Sequence, residues 1–353
     1  MKSTIIVDTS PPQLLHSPFE LMQATPLAGM NILLVSIKAL ALTLLLSGCE
    51  AKLNLEAVEQ LKQQSIRRTD NFQAVVANDK TVVAVANDGV ILLSSIDNID
   101  WQRKVIEGEP SFVDVVTCPD QSFAALSMDK TVWIGSVEGQ QWRPIPISTR
   151  EDLLSLTCAP DNSLWLVGSF STVIHSTDKH NQWHAVTLDE DSMLTSIQFV
   201  DAMTVYVTGE FGLVARSDDG GKNWNDIEYA PDDFYIHGAY FRSATEGWIG
   251  GLSGRIFYTA DAGVNWTRQT TPNNAPIYGF KAASQGLYAY GDHNTLLKNN
   301  GEKWASISVS GKPVYIGGIE FIYSGVVILA GGVGTLLNFD FLSPSFLAEQ
   351  GGQ

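Results

Sequence analysis

The chain has 353 residues and a formal net charge of −16, because 38 Asp and Glu residues outnumber 22 Lys and Arg residues. A surface this acidic repels phosphate backbones, so we expect no nucleic-acid partner. Cys49, Cys118 and Cys158 are too few for a disulfide scaffold, whereas the 44 % hydrophobic content can fill a sizeable core.

An apolar run over residues 31–46 is too short and too often interrupted for a comfortable membrane span. It is typical of the apolar part of a secretory signal. The run ends in Leu46-Ser47-Gly48-Cys49, which resembles the lipobox of bacterial lipoproteins. We therefore expect a lipid on Cys49, with a chance tetrad after an ordinary apolar helix as the alternative.

This interpretation sets the first boundaries of the chain. We expect a signal peptide over 30–48 that starts at Met30, and a lipid-anchored tether over 49–60. Residues 1–29 would then precede the true start, or would form a disordered cytoplasmic extension. The protein would be exported and anchored on the periplasmic side. Glu50 after the cysteine favours the outer membrane of a Gram-negative envelope; a cyanobacterial protein would lie on the thylakoid or periplasmic side.

Tryptophans recur at nearly constant spacing in the rest of the chain, at Trp101, Trp142, Trp183, Trp224, Trp266 and Trp304. Repeats of 40 to 45 residues with several short strands are typical of propeller blades. A tight turn before an apolar strand recurs seven times, at Gly89, Lys130, Ser171, Gly212, Gly254, Asn294 and Gly334. These turns predict an all-β, seven-bladed β-propeller over residues 61–340, with 341–353 as a C-terminal tail.

Residues 153–188 show one complete blade, with four strands that we name A to D from the axis outward. The last repeat stops after strand C at Asp340. We expect Leu61–Arg67 to supply the missing outer strand, because ring closure of that kind removes free sheet edges.

Two repeats carry the pattern Ser/Thr-x-Asp-x-Gly-x-x-Trp between strands C and D. Its residues are Ser217, Asp219, Gly221, Trp224, Thr259, Asp261, Gly263 and Trp266. A third repeat keeps Ser176, Asp178 and Trp183 but has His180 where Gly is expected. A carboxylate in such a hairpin accepts backbone N–H groups, and the Trp packs between blades. We therefore expect a structural role, with a catalytic or metal-binding role as the alternative.

This pattern resembles the Asp-box, or BNR, repeats. With its lipobox and seven short blades, the chain resembles the photosystem II stability/assembly factor family over about residues 60–340. The resemblance implies a non-enzymatic factor without a cofactor, which helps to assemble the photosystem II reaction centre in photosynthetic organisms. Relatives in other bacteria imply a binding or assembly role in the envelope. Photosynthetic members carry an arginine-rich patch, whereas the arginines of this chain are spread along its length.

Sialidases also carry Asp boxes, so a sialidase-like glycoside hydrolase is the alternative function. Those enzymes have six blades and hold a carboxylate with three arginines, for which Arg216, Arg242 and Arg255 are the candidates. Seven blades without long inserted loops argue against catalysis. The histidines lack the spacing of a metal site, so we expect neither a metal nor a cofactor.

The order of strands places the D–A and B–C loops on one face of the propeller, and the A–B and C–D loops on the other. The D–A loops are acidic and have aromatic neighbours, which predicts a docking rim for a basic segment of a membrane or envelope protein. The candidate rim residues are Glu151, Asp152, Phe170, Asp191, Phe211, Asp232, Asp233, Phe234 and Tyr235. The alternative is that these loops are simply solvated. We expect the propeller to be monomeric.

Cys118 and Cys158 occupy similar places in neighbouring blades. Equivalent positions on neighbouring blades are usually too far apart for the Cα separation that a disulfide requires. We therefore expect two buried thiols, with a disulfide in an oxidising periplasm as the alternative.

Overall fold

The computed structural model describes residues 54–340, except 178, 313, 323 and 324. Residues from Gln60 onward form one compact unit, and residues up to Glu59 belong to another. The predicted signal peptide, Cys49 and the C-terminal tail lie outside the described residues. No helix within the described part of the chain is long and apolar enough to cross a membrane.

Seven antiparallel sheets, called blades 1 to 7, make up the unit that begins at Gln60. The inner strands (A) are β1 Phe72–Ala77, β5 Phe112–Thr117, β9 Leu153–Cys158, β13 Leu194–Phe199, β17 Ile236–Phe241, β21 Ile277–Ala283 and β25 Ile316–Phe321. The second strands (B) are β2 Thr81–Ala86, β6 Phe123–Ser127, β10 Leu164–Gly168, β14 Val205–Gly209, β18 Gly247–Gly251, β22 Gly286–Gly291 and β26 Val326–Gly331.

The outer half of each blade follows the same order. The third strands (C) are β3 Val90–Ser95, β7 Thr131–Gly135, β11 Thr172–Thr177, β15 Leu213–Ser217, β19 Ile256–Thr259, β23 Leu296–Asn299 and β27 Leu336–Asp340. The outer strands (D) are β4 Gln102–Val105, β8 Trp142–Pro146, β12 Gln182–Thr187, β16 Glu228–Tyr229, β20 Thr267–Gln269 and β24 Trp304–Ser306. The predicted seven-bladed, all-β propeller is confirmed.

The core consists of apolar layers between neighbouring blades rather than one central cluster. Strand B is buried on both faces in most blades, as in β10 and β14, because each sheet packs against a blade on either side. The repeating tryptophans fill these layers: Trp142 packs between blades 1 and 2, and Trp183 between blades 2 and 3. This placement explains their spacing, since six of the seven blades carry one large ring at a similar place.

Each inner strand has a β-bulge at its second residue. The bulged residues are Gln73, Val113, Leu154, Thr195, His237, Tyr278 and Gly317. A bulge turns a side chain away from the regular alternation of a strand. All seven of these residues line the central channel, a cavity of about 340 Å³.

The seven predicted turn positions all have positive φ, as a tight B–C turn requires. In five blades the backbone N–H at this position donates to a carbonyl two residues before the next inner strand. The pairs are Gly89–Pro110, Ser171–Ser192, Gly212–Phe234, Asn294–Val314 and Gly334–Asp70. B–C turns and D–A loops are thereby held together on one face, which we call the turn face. The opposite face, with the A–B and C–D loops, is the Asp-box face.

The prediction that Leu61–Arg67 forms the outer strand of blade 7 is wrong. Residues 56–62 form helix α1 (Glu56–Lys62), and the sheet of blade 7 has three strands among the described residues. Closure instead uses the segment just after the helix. Gly334 N–H donates to the Asp70 carbonyl at 2.7 Å, and Ile66 packs against the layer between blades 7 and 1.

A buried ion pair fixes this closing segment to blade 1. Both guanidinium NH2 groups of Arg103 donate to the Asp70 carboxylate, at 2.8 and 3.0 Å, and Asp70 is only 2 % exposed. Arg103 also donates to the Ser65 carbonyl. The bidentate geometry is the arrangement in which a buried pair best offsets its desolvation cost.

The expectation of two free thiols is also wrong, because Cys118 and Cys158 form a disulfide with Cα atoms 5.2 Å apart. The cysteines are separated by 40 residues, one fewer than the local repeat. Cys118 N–H donates to the Ser122 carbonyl, and Ala159 N–H donates to the Ser163 carbonyl in the same turn of the next blade. The residue equivalent to Cys118 in blade 3 is therefore Ala159 and not Cys158. The shift of one residue brings the two Cα atoms within disulfide reach.

Candidate docking face

The two complete Asp boxes have the same geometry. Asp219 accepts from Ser217 Oγ at 2.9 Å, Asn223 N–H at 2.8 Å and Asn223 Nδ2 at 2.6 Å. Ser217 Oγ in turn accepts from Gly221 N–H at 2.8 Å. Asn223 was not among the predicted site residues, although the Asn before each box Trp is visible in the sequence.

The second box repeats every one of these bonds. Asp261 accepts from Thr259 Oγ1 at 2.9 Å, Asn265 N–H at 2.8 Å and Asn265 Nδ2 at 2.7 Å, while Gly263 N–H donates to Thr259 Oγ1 at 2.9 Å. Hydrogen bonds, mainly from Asn265, lower the pKa of Asp261. The bonds from Asn223 lower the pKa of Asp219 to about 2. These carboxylates are committed to their own hairpins.

The third, degenerate box is built differently. Asp178 lies outside the described residues, and His180 Nδ1 lies 2.9 Å from Ser176 Oγ. A Ser–His pair suggests a nucleophile, but Ser176 is 1 % exposed and already accepts from Leu164 N–H. Burial, first of all, lowers the pKa of His180. The pair is therefore an internal brace of blade 3.

The three candidate sialidase arginines lie apart. Arg216 pairs with Asp218, and Arg242 pairs with Glu246 at 3.0 Å, both on the Asp-box side. Arg255 follows the B–C turn of blade 5 and pairs with Asp232 at 3.7 Å on the turn face. Three guanidinium groups divided between opposite faces cannot hold one substrate carboxylate.

Two titratable side chains that line the central channel, Asp114 and Lys281, have polar partners. Asp114 accepts from Ser155 Oγ and Leu156 N–H, both at 3.1 Å, and burial raises its pKa to about 6. Lys281 Nζ pairs with Glu320 Oε2 at 2.6 Å. No cluster of three or more metal-ligating side chains exists in the described part of the chain.

The turn face is strongly acidic. Its carboxylates are Asp88, Glu107, Glu109, Asp129, Glu151, Asp152, Asp189, Glu190, Asp191, Glu210, Asp232, Asp233 and Asp292. The cations in the same loops and in the closing segment before β1 are Arg67, Arg68, Lys130, Arg150, Arg255 and Lys312. Lys130 already pairs with Asp152 at 3.4 Å, and Arg255 with Asp232. The face therefore carries a large excess of negative charge.

Apolar side chains project from the B–C turns of five blades on this same face. The exposed fractions of these residues are 69 % for Met128, 58 % for Phe170, 55 % for Phe211, 49 % for Val333 and 45 % for Leu252. We call this set the turn tips. Phe170, Phe211 and Val333 adopt φ of 51°, 57° and 56°, in the left-handed region that bulky or β-branched residues rarely occupy. Met128, Leu252 and Val333 were not among the predicted rim residues.

The structure places the nine predicted rim residues unequally. Asp152, Asp191, Asp232 and Asp233 are exposed, as are Phe170 and Phe211, while Glu151 and Tyr235 are half-buried. Phe234 is wrong as a rim residue, because it is 4 % exposed and packs 5.3 Å from the Phe257 ring. It occupies the position of Pro110 and Asp70 in other blades, which is buried in each.

Comparison with known proteins agrees with this architecture. Residues 175–279 match the family model of the Photosynthesis system II assembly factor YCF48. This segment contains both complete Asp boxes. The family resemblance is confirmed. The chain resembles this family over that segment, and no curated protein has significant sequence similarity to it.

Solved propellers resemble the chain over most of its length. YCF48 from Cyanidioschyzon merolae is 15 % identical with a TM-score of 0.63, over 77 % of this chain and 96 % of that one. The WD40 β-propeller domain of Doa1 is 13 % identical with a TM-score of 0.65, over 78 % and 95 %. A catalytically inactive virginiamycin B lyase from Staphylococcus aureus with quinupristin is 12 % identical with a TM-score of 0.67, over 78 % and 97 %. At such identities the likeness shows the fold alone.

Proposed function

We propose that this YCF48-like propeller is a non-enzymatic assembly scaffold that docks a membrane or envelope protein complex on its turn face. A lipid on Cys49 would keep it at the membrane where that complex forms. The observation that carries the proposal is the set of exposed apolar turn tips on one acidic face. The match to an assembly-factor family agrees with a scaffold role.

The side chains of the turn tips contribute little to the stability of the free protein. The Phe170 and Phe211 side chains leave more than half of their surface in water, so their burial stabilises the fold only partly, and the positive φ at each adds strain that offsets this gain. Asn or Gly would form the same turn without that strain, as Asn294 and Gly334 do at the next turn position. Residues that are costly in the free molecule are expected where a partner covers them.

The acidic loops define the chemistry of that partner. Exposed carboxylates between apolar tips attract a surface that is apolar and basic, and they repel anionic lipid headgroups. Such charge complementarity speeds association and excludes other acidic proteins. We therefore expect a basic segment of a protein to dock here rather than a lipid surface.

Two observations support the exported location. The apolar run followed by Leu46-Ser47-Gly48-Cys49 is the pattern of a lipoprotein signal. The Cys118–Cys158 disulfide belongs in an oxidising compartment such as the periplasm. Cys49→Ser should abolish the incorporation of labelled palmitate into the protein. Labelling of this variant at the wild-type level would rule out the lipid on Cys49.

The docking test compares two sets of apolar substitutions. Phe170→Asn with Phe211→Asn removes two turn tips, while Val264→Asn removes a side chain that is 64 % exposed on the Asp-box face. The full-length proteins are cross-linked in native envelopes, and the proteins recovered with each are identified. We expect the same membrane protein with wild type and Val264→Asn, and its loss from the double variant. Equal recovery from all three would refute docking on the turn face.

A charge variant tests the second element of the proposal. Glu151, Asp152, Asp191 and Asp233 replaced together by Ser should weaken recovery, and the wild-type interaction should weaken as salt rises. If recovery of the partner protein changes neither with these substitutions nor with salt, the partner does not dock through a basic segment.

A further inference from the structure

We propose that the mouth of the central channel on the turn face binds a cationic side chain, Lys or Arg, of the docked partner. His237 and Tyr278 line the channel at this mouth, while Tyr235 contacts His237 and Tyr315 contacts the channel residue Gln73; we call these four rings the aromatic arc. The inference rests on the proposed docking function and names the chemical group recognised at its centre.

The bulges of blades 5 and 6 bring the first two rings together. His237 and Tyr278 are the bulged residues of β17 and β21, and their ring centroids lie 5.2 Å apart at an interplanar angle of 89°. Equivalent bulges in blades 2, 3, 4 and 7 carry Val, Leu, Thr and Gly, so the aromatic character is confined to one side of the channel. Both side chains line the cavity.

The D–A loops extend the arc on both sides. The Tyr235 ring lies 4.7 Å from that of His237 at 47°. Tyr315 precedes β25 in blade 7, and its hydroxyl accepts from Gln73 Nε2 of blade 1 at 3.0 Å. All four residues of the arc are half-buried, so none of them is sealed from solvent.

Carboxylates lie close to the arc. Burial and the Asp292 carboxylate raise the pKa of Tyr278, and burial and Glu210 raise that of Tyr235. Glu210 also accepts from Met193 N–H at 2.9 Å, and Asp292 lies 3.0 Å from His293 Nδ1. Burial lowers the pKa of His237, which keeps its ring neutral at neutral pH. The mouth is therefore a negative site faced by uncharged aromatic rings.

No cation–π contact within the described chain uses these four rings. The contacts that exist involve Tyr206, Phe234, Trp248 and Tyr288 instead. Lys281 also lines the channel, three residues beyond Tyr278 on β21, but its Nζ lies on Glu320. The four rings of the arc thus have no cationic partner within the described chain.

Aromatic faces beside carboxylates select an organic cation. A bare metal ion needs a convergent set of oxygen, nitrogen or sulfur ligands, whereas a guanidinium or ammonium group is attracted by ring faces and by nearby negative charge. The acidic loops around the mouth would hold the basic segment that carries this side chain.

The test uses small peptide probes on the full mature chain. Ac-Gly-Arg-Gly-NH2 and Ac-Gly-Lys-Gly-NH2 are titrated while the His237 ring signals are followed by NMR, and the neutral citrulline peptide is the matched probe. We expect saturable shifts with the two cationic peptides and none with citrulline. Tyr278→Leu should weaken binding by about 3- to 30-fold, the range of a single cation–π contact, while Tyr278→Phe keeps the ring and stays within about 2-fold.

Tyr229→Leu is the control, because Tyr229 is an exposed tyrosine on outer strand β16, away from the channel. Tyr235→Leu serves as the second arc variant if Tyr278→Leu does not fold by circular dichroism. Equal shifts with the citrulline peptide, or unchanged affinity in the arc variants, would overturn the inference.

The two proposals fail differently. Suppose that Tyr278→Leu leaves the affinity for the arginine peptide unchanged while Phe170→Asn with Phe211→Asn still loses the partner protein. The cation site at the arc is then refuted, and docking on the turn face is still supported. Suppose instead that Tyr278→Leu weakens binding of the arginine peptide, but the double Phe variant recovers the partner as well as wild type does. Docking on the turn face is then refuted, and the cation site is still supported.

Discussion

Acidic residues on the two faces of this propeller are in opposite states. On the Asp-box face, Asp219 and Asp261 each accept a hydroxyl, a backbone N–H and a side-chain amide, all within four residues of chain. On the turn face, Asp191 and Asp233 stand exposed in loops beside apolar tips. The first set holds hairpins together, while the second leaves charge available to another molecule.

The comparison extends beyond charge. The Asp-box face also carries the Cys118–Cys158 disulfide, at the ends of the inner strands of blades 2 and 3. The turn face carries bulky side chains at positive φ, where folding alone would favour Asn or Gly. Substitutions on the first face should therefore cost stability, and those on the second should cost docking.

The largest expected loss of stability comes from the disulfide. Cys118→Ala with Cys158→Ala removes a link across 40 residues and should lower the free energy of unfolding by about 4 kcal/mol, from the entropy of the unfolded chain. Urea unfolding of oxidised wild type, reduced wild type and the double variant measures the effect. Reduced and oxidised wild type unfolding at the same urea concentration would contradict the disulfide.

A pH-dependent effect of about 3 kcal/mol is expected at Asp114 in the channel. Burial raises its folded pKa from the ordinary value of 3.8 to about 6, so the folded state prefers the protonated acid. The contribution of Asp114 to the free energy of unfolding is therefore fully present below the pKa of 3.8 in the unfolded chain, and it is lost as pH rises through the folded pKa of about 6. The free energies of unfolding of wild type and Asp114→Asn, measured from pH 4 to 7, should therefore differ in slope. Parallel curves would show that Asp114 titrates normally.

Breaking one Asp box should cost about 1–3 kcal/mol. Ser217→Ala leaves the buried Gly221 N–H without its acceptor, which is the usual penalty for an unsatisfied buried donor. Thr259→Ser in the next box keeps the accepting hydroxyl and is the matched control. Thermal unfolding should separate the two variants, and partner recovery should be the same for both. Loss of the partner protein from Ser217→Ala but not from Thr259→Ser would indicate that the partner docks on the Asp-box face.

The smallest effect on stability is expected at the turn tips. Phe170→Asn with Phe211→Asn places a residue that tolerates positive φ in each turn, so the free energy of unfolding should stay within about 0.5 kcal/mol or rise. Urea unfolding beside Val264→Asn measures this. A loss of more than about 2 kcal/mol would mean that the two Phe side chains support the fold.

The repeat made most of the fold predictable. Six blades carry an inter-blade Trp and all seven have a turn at positive φ, so these residues mark the blades in the sequence. The Asp boxes were predictable for the same reason, since all their bonds are local. Phe170 and Phe211 were found because they stand at those turns.

Features set by the register of paired strands or by contacts between blades were not predictable in this way. The bulges at His237 and Tyr278 depend on the register of paired strands, which the apolar alternation of one strand does not encode. The disulfide was not predicted because the similar sequences around Cys118 and Cys158 suggest equivalent positions, whereas Cys158 lies one residue before the position equivalent to Cys118. The Asp70–Arg103 pair joins residues 33 apart in the chain, and the extra strand predicted before it is a helix followed by a closing segment.

Site-specific photo-cross-linking in native envelopes tests the central claim most directly. A photoreactive amino acid is placed at Phe211 on the turn face or at Val264 on the Asp-box face, both exposed in the free propeller. Docking on the turn face predicts a discrete cross-link to one membrane protein from position 211 and none from position 264. A discrete cross-link from 264 with none from 211 would contradict it.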